Sequence, residues 1–329
     1  MALVVSQTCG VLRYAGRESD LRDLMLELDS SNRAELVKVS INTGSKLTIS
    51  LAILAIISFV FFTSSCHFIE SGENNTGVTM HPYYQQQKEK LTTDFSDLME
   101  LIDPLLRQHV DAATAQEISK DAHARYAVIL EELPYIGGDD NWLTGNLING
   151  AMAAAFYLPL KERGLSVDKA GRMFYEAVEQ AMSEQLAKPA VRAHDAEAVQ
   201  RIRDKERRFA AWTQKREYPY NWVAQYVDCA GTHYDYGRDW VECGIVKLHK
   251  RYGVEELSPY LCLMDCIVFR ASGQGLHRTK TLAEGDDRCD FRINLSSREI
   301  HMEPFSDRKL REWGKCGSGC CGGCSGCTQ

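Results

Sequence analysis

The sequence predicts an α+β fold, a mainly helical N-terminal half packed with a small antiparallel sheet formed in the C-terminal half. Three observations carry this. Leu98, Leu101, Ile102, Leu105 and Leu106 recur at i, i+3, i+4, i+7 and i+8, the spacing of one helix face. Between residues 191 and 214 acidic and basic side chains are interleaved along what reads as a solvated helix. From Tyr218 the pattern changes to short alternating segments, and stretches 276–282 and 289–295 flank Glu284-Gly-Asp-Asp287, a hairpin signal. Helices first and strands later place the helices on one face of the sheet.

Taken in order, Pro104 lies inside the first helical run and is expected to kink or divide it. Residues 122–133 continue as helix and stop at Pro134, followed by a turn-rich loop through Gly137 and Gly138. Residues 147–163 return to helix, with small residues over 151–155 permitting close packing, a kink expected at Pro159 and a stop at Gly164. Ser166 opens a helix over 167–186. Residues 222–227 alternate as a strand. Residues 238–252 are expected to be helical and ended by Gly253, while the apolar run 261–269 fits either state.

The 329 residues carry 44% hydrophobic and 25% charged side chains with formal charge −7, an ordinary globular composition. That mild acidity argues against nucleic acid as a partner, since phosphate binding needs a clustered basic face. Residues 47–62 are an uncharged apolar run, short for a span. Either residues 47–66 are a transmembrane anchor, or Thr63-Ser-Ser-Cys66 ends a bacterial lipoprotein signal whose true start lies near Val37 or Val39. Both readings expect a membrane-anchored protein with its domain on the extracytoplasmic side; the alternative is a cytoplasmic one. The expected organisation is an N-terminal extension over 1–46, the anchor or signal, a polar linker over 67–84, a catalytic-type domain over 85–300, and a flexible Cys/Gly-rich tail over 301–329.

The reactive residues concentrate between 234 and 292. On a helix Cys243 and Lys247 share a face, and an ammonium beside a thiol favours thiolate, although a small residue in a helix is often an inert buried Cys. Cys262, Asp265 and Cys266 fall on one helical turn, where a thiol can hand its proton to a carboxylate or the group can hold a soft metal; the same run is apolar enough to be core. Alternation sends Arg278, Lys280 and Leu282 to one face of the hairpin and His277, Thr279 and Thr281 to the other. Arg278 is a fork for a substrate carboxylate and His277 a candidate base, against the alternative of a solvated hairpin.

Pro134-Tyr-Ile-Gly-Gly138, Asn141-Trp-Leu-Thr144, Glu242-Cys-Gly244, Pro259-Tyr-Leu-Cys262 with Asp265, and the block from Leu276 to Phe291 resemble the L-2-amino-thiazoline-4-carboxylic acid hydrolase family over roughly residues 85–293. The resemblance implies hydrolysis of a carbon–nitrogen, non-peptide bond in a small cyclic amidine. By motif position it singles out Glu242, Cys243, Cys262, Asp265, Arg278, Cys289 and Asp290; we read Glu242, Cys243, Cys262, Asp265 and Cys289 as catalytic, and Arg278 and Asp290, with His277 from the hairpin pattern, as substrate-binding. Cys262 or Cys289 would attack the ring carbon or hold a metal whose water attacks, Asp265 would move the proton, and Glu242 with Cys243 would support the site.

Two other classes stay open. Cys262, Asp265 and Cys289 also resemble the thiol–carboxylate–thiol arrangement of alkylmercury lyases, and Cys316, Cys320, Cys321, Cys324 and Cys327 would suit a soft or divalent metal ion. The third is a membrane-tethered binding module without catalysis.

Overall fold

A computed structural model describes residues 80–187 and 194–315. The chain divides into the units Met1–Asn75 and Thr76–Gln329, and every described residue lies in the second.

Helix α1 (Pro82–Leu106) starts on His81, whose ring accepts from the Tyr83 amide, with Pro82 in the first turn where no amide is needed. Its apolar face buries Phe95, Met99, Ile102 and Leu106. Pro104 falls in the last turn, where its missing hydrogen bond costs little, so the helix is not divided. Asp111 caps α2 (Ala112–Glu131) by accepting from the amides of Ala113 and Thr114. Helix α3 (Leu143–Glu162) is buried almost continuously from Gly150 to Tyr157 and runs through Pro159. A helix apolar all round occupies the middle of a fold. Ser166 caps α4 (Val167–Ala181), which breaks at Met182 before the single turn α5 (Ser183–Ala187). Asp195 caps the charged helix α6 (Ala196–Thr213).

The remainder builds the sheet and its supports. Strands β1 (Val223–Val227) and β2 (Tyr236–Glu242) pair antiparallel; α7 (Gly244–Arg251), α8 (Ser258–Cys262) and α9 (Met264–Ser272) follow. Strands β3 (Gly275–His277), β4 (Cys289–Asn294) and β5 (Ile300–His301) and helix α10 (Pro304–Glu312) close the domain. The strand order is β1-β2-β4-β3-β5, antiparallel except for the parallel pair β3–β5. The fold is α+β as expected, with a mixed sheet rather than a purely antiparallel one.

Registers sort the side chains by face. Tyr236 lies opposite Ile293, Arg238 opposite Phe291 and Trp240 opposite Cys289, and this inner face meets the helices: Phe291 contacts Phe269 of α9, and Trp240 contacts Trp142 at the start of α3. The outer face carries Asp239, Asp290, Arg292 and His277.

Three expectations need correction. Residues 238–252 are not one helix. Tyr236, Arg238 and Trp240 alternate into the core at period two, and β2 pairs with strands on both sides, so helix begins only at Gly244. The chain does not become a flexible tail at 301, because β5 and α10 pack on the domain; only the stretch from 316 lies outside the described residues, and with it the proposed metal cysteines Cys316, Cys320, Cys321, Cys324 and Cys327. No helix among the described residues is long and apolar enough to cross a membrane. The anchor assigned to 47–66 lies outside them, so the membrane anchor and extracytoplasmic location expected from composition are withdrawn.

Candidate active site

Three cysteines and one aspartate from separate stretches lie near enough to influence one another electrostatically. Cys243 directly follows β2 and is the cap of α7, with its thiol in reach of the Ile245 and Val246 amides. Cys262 closes α8, Asp265 stands in the first turn of α9, and Cys289 opens β4. They are close enough to alter one another's ionisation: Cys262 feels Arg278, Cys289, Asp265 and Cys243, and Cys289 feels Cys243 and Asp265.

Two supports hold this geometry. Gly244 follows Cys243 where a Cβ would lie 2.4 Å from the Tyr220 carbonyl oxygen and 2.6 Å from the Trp222 ring, so only glycine lets the chain turn there. His249 of α7 is fully buried between Ser258 Oγ at 2.9 Å and the Gly150 carbonyl at 3.1 Å, tying the helix to α3.

Arg278 organises the carboxylates. It is 1% exposed and packs over the Phe291 ring. Its Nε donates to Glu303 Oε2 at 2.8 Å, Nη2 to Glu303 Oε1 at 3.0 Å and to the Cys262 carbonyl at 3.3 Å, and Nη1 to Asp265. Glu303 also accepts from Ser306 Oγ. A guanidinium whose three nitrogens are all engaged has no free fork, so Arg278 positions Asp265 and does not receive a substrate carboxylate.

The electrostatics follow from depth. Burial pushes Asp265 up to about 6 even though the Arg278 charge pulls it down. Its side chain is nonetheless 31% exposed, so solvent reaches it. Burial raises all three thiols: Cys243 above its ordinary value despite the helix amides, Cys262 well above, and Cys289 to about 12. The thiols are therefore protonated at neutral pH. Cys289 is buried, with Sγ accepting from the Leu282 amide at 3.2 Å, whereas Cys243 and Cys262 are half-buried.

The other expected residues lie elsewhere. Glu242 points away from the thiols into a pair with Arg216 and Lys247, and the Lys247 ammonium is further held by the Pro219 carbonyl at 2.8 Å and the Asn221 carbonyl at 3.1 Å. Lys247 still lies one turn from Cys243, its amide donating to the Cys243 carbonyl at 3.1 Å, but the hydrogen bonds of its ammonium go to Glu242 and to these two carbonyls. His277 and Asp290 sit on the outer sheet face, lining an open groove of about 340 Å³ with Tyr234 and Arg292. His277 stacks on His301 at 4.6 Å, and burial together with that neighbour lowers its pKa. Asp290 is consumed by the amides of Thr279 and Lys280, each at 2.7 Å. Neither joins the thiol cluster, because alternation along β3 and β4 sends them through the opposite side of the sheet.

No group of three or more His, Cys, Asp or Glu side chains among the described residues is placed to hold a metal ion. A resident ion on Cys243, Cys262 and Cys289 would require those side chains to move. Glu303 is the residue that sequence reading missed. Its signal was available in Glu303-Pro-Phe-Ser306, an acidic residue before a proline at a helix start.

Residues 145–293 match the family model of L-2-amino-thiazoline-4-carboxylic acid hydrolase. That match supports a hydrolase-like activity at family level. No curated protein and no solved structure matches the chain. The matched stretch contains Cys243, Cys262, Asp265, Arg278 and Cys289 but ends before Glu303, so Arg278 takes one of its carboxylate partners from outside the match.

Proposed function

We propose that the domain hydrolyses a carbon–nitrogen bond of a small cyclic amidine bearing a carboxylate, 2-amino-thiazoline-4-carboxylate being the first candidate, by thiol and carboxylate chemistry. The observation that supports it is that Asp265 and the thiols of Cys243, Cys262 and Cys289 lie near enough for their charges to act on one another. Cys262 is the nucleophile of choice, since it is half-buried and next to Asp265, while Cys289 is sealed. A thiol is intrinsically the stronger nucleophile, and a covalent intermediate on sulfur splits one difficult step into two easier ones.

Cys262 Sγ gives its proton to the Asp265 carboxylate and bonds to the amidine carbon, and the C=N electron pair moves to the ring nitrogen. Asp265 returns the proton to that nitrogen, the C–N bond breaks, and the ring opens with its carbon held on sulfur. Water then adds to this carbon while Asp265 takes its proton. The C–S bond to Cys262 breaks and the thiol is restored. One water is consumed and no redox partner is needed.

Turnover of 2-amino-thiazoline-4-carboxylate by the full chain, with and without a chelator, is the test. Turnover that survives chelation and is lost in Cys262→Ser supports the thiol route. Turnover kept in full by Cys262→Ser overturns it, and loss on chelation would shift the chemistry to a metal-bound water.

A further inference from the structure

With Arg278 fully engaged, a substrate carboxylate needs another cation. Arg238 is on the inner sheet face opposite Phe291, and its side chain is 12% exposed. Its Nε donates to Glu206 Oε2 at 3.0 Å and Nη2 donates to the same oxygen, while Nη1 makes no hydrogen bond and is not among the sealed unpaired atoms. Two N–H donors of a nearly buried guanidinium thus carry no hydrogen bond to the described residues. The guanidinium is held in place by three rings, with Trp142 at 5.5 Å, Phe209 at 5.8 Å and Trp240 at 4.8 Å from its carbon. Trp142 itself is 53% exposed, an indole left in water beside Arg238 and 5.5 Å from Phe209. Arg238 is near enough to Asp265 for its charge to act on that carboxyl.

We infer that Arg238 and Trp142 form the specificity half of the site: Arg238 Nη1 receives the ligand's carboxylate, and the Trp142 indole stacks on its planar amidine so that the ring carbon faces Cys262. Charge narrows the ligand class. Glu206 already neutralises Arg238, and Arg278 is shared by Glu303 and Asp265, so a simple anion meets three carboxylates against two guanidiniums. A small zwitterion meets Arg238 with its carboxylate and Asp265 with its amidinium, satisfying both ends. The inference rests on the hydrolase reading only for the choice of ligand.

Intrinsic fluorescence of the full chain, titrated with 2-amino-thiazoline-4-carboxylate and with 2-aminothiazoline, which lacks the carboxylate, tests it directly. The carboxylate-bearing ligand is expected to bind at least tenfold more tightly. Arg238→Gln combined with Glu206→Gln, which leaves no charge unpaired, should bring the two affinities together. Trp142→Phe, a change at an exposed position that leaves the fold intact, should remove most of the quenching and weaken both ligands. An unchanged preference in the double variant, no preference in the wild type, or undiminished quenching in Trp142→Phe would each overturn the assignment. Arg238-dependent binding without hydrolysis would sink the hydrolase proposal and leave this one standing. Hydrolysis whose carboxylate preference survives in the double variant would do the reverse.

Discussion

Asp265 carries opposing demands in one side chain. Depth raises its pKa to about 6, Arg278 restrains that rise, and a third of its surface still faces solvent. Such a carboxyl changes state near the working pH, which suits a proton shuttle. As the base in its ionised form, it should make kcat/KM rise about tenfold per pH unit below about 6 and level off above it. Asp265→Asn is expected to lower kcat by ~10²–10⁴ and to flatten that limb. A limb of opposite slope in the wild type would assign Asp265 as the acid instead. At this scale the sequence singled out reactive side chains but not their partners. Arg278 read as a free fork because its partner Glu303 lies 25 positions downstream, beyond any local pattern.

Elements set where those side chains point. Helix α7 presents Cys243 from its first residue only because Gly244 permits the turn and His249 fastens the helix to α3. Burial lowers the His249 pKa from 6.5 to about 4, so its neutral form belongs to the folded state. Its contribution to stability is therefore complete above pH 6.5 and is lost as pH falls from there through about 4. Denaturant titrations between pH 4 and 8 should show this decline. His249→Ala, which orphans the Ser258 hydroxyl and the Gly150 carbonyl, should cost about 1–3 kcal/mol at neutral pH and weaken the dependence. The strand over 222–227 and the hairpin were legible because alternation and turn residues are local signals. The true state of 238–252 was not, since central-strand pairing of Tyr236, Arg238 and Trp240 with β1 and β4 outweighs a helical reading of Cys243 and Lys247.

Across the whole molecule, the family-matched stretch depends on chain outside it. Glu303 and Ser306 reach Arg278 from the segment after β4, and α1 and α2 bury Phe95, Ile102, Ile118 and Tyr126 in the common core. Glu303→Ala strands a fully buried guanidinium, and urea unfolding should register a loss of about 3–5 kcal/mol. A chain ended at residue 300 removes β5 and α10 together and is expected to lose cooperative unfolding, whereas one ended at 315 keeps it. Equal stability of the two truncations would mean that the closing segment is dispensable.

From the sequence by itself came the α+β class, the family and the set of reactive residues, because periodicity, caps, turn residues and motif spacing are written over short distances. Only the tertiary structure decided which of these residues share a site. It brought Cys243, Cys262, Asp265 and Cys289 near one another, sent His277 and Asp290 through the sheet to the other face, turned Glu242 outward, and spent Arg278 on Glu303. The reason is physical: side-chain convergence depends on strand order and register, and long-range pairing sets both by burying apolar faces that no local pattern encodes.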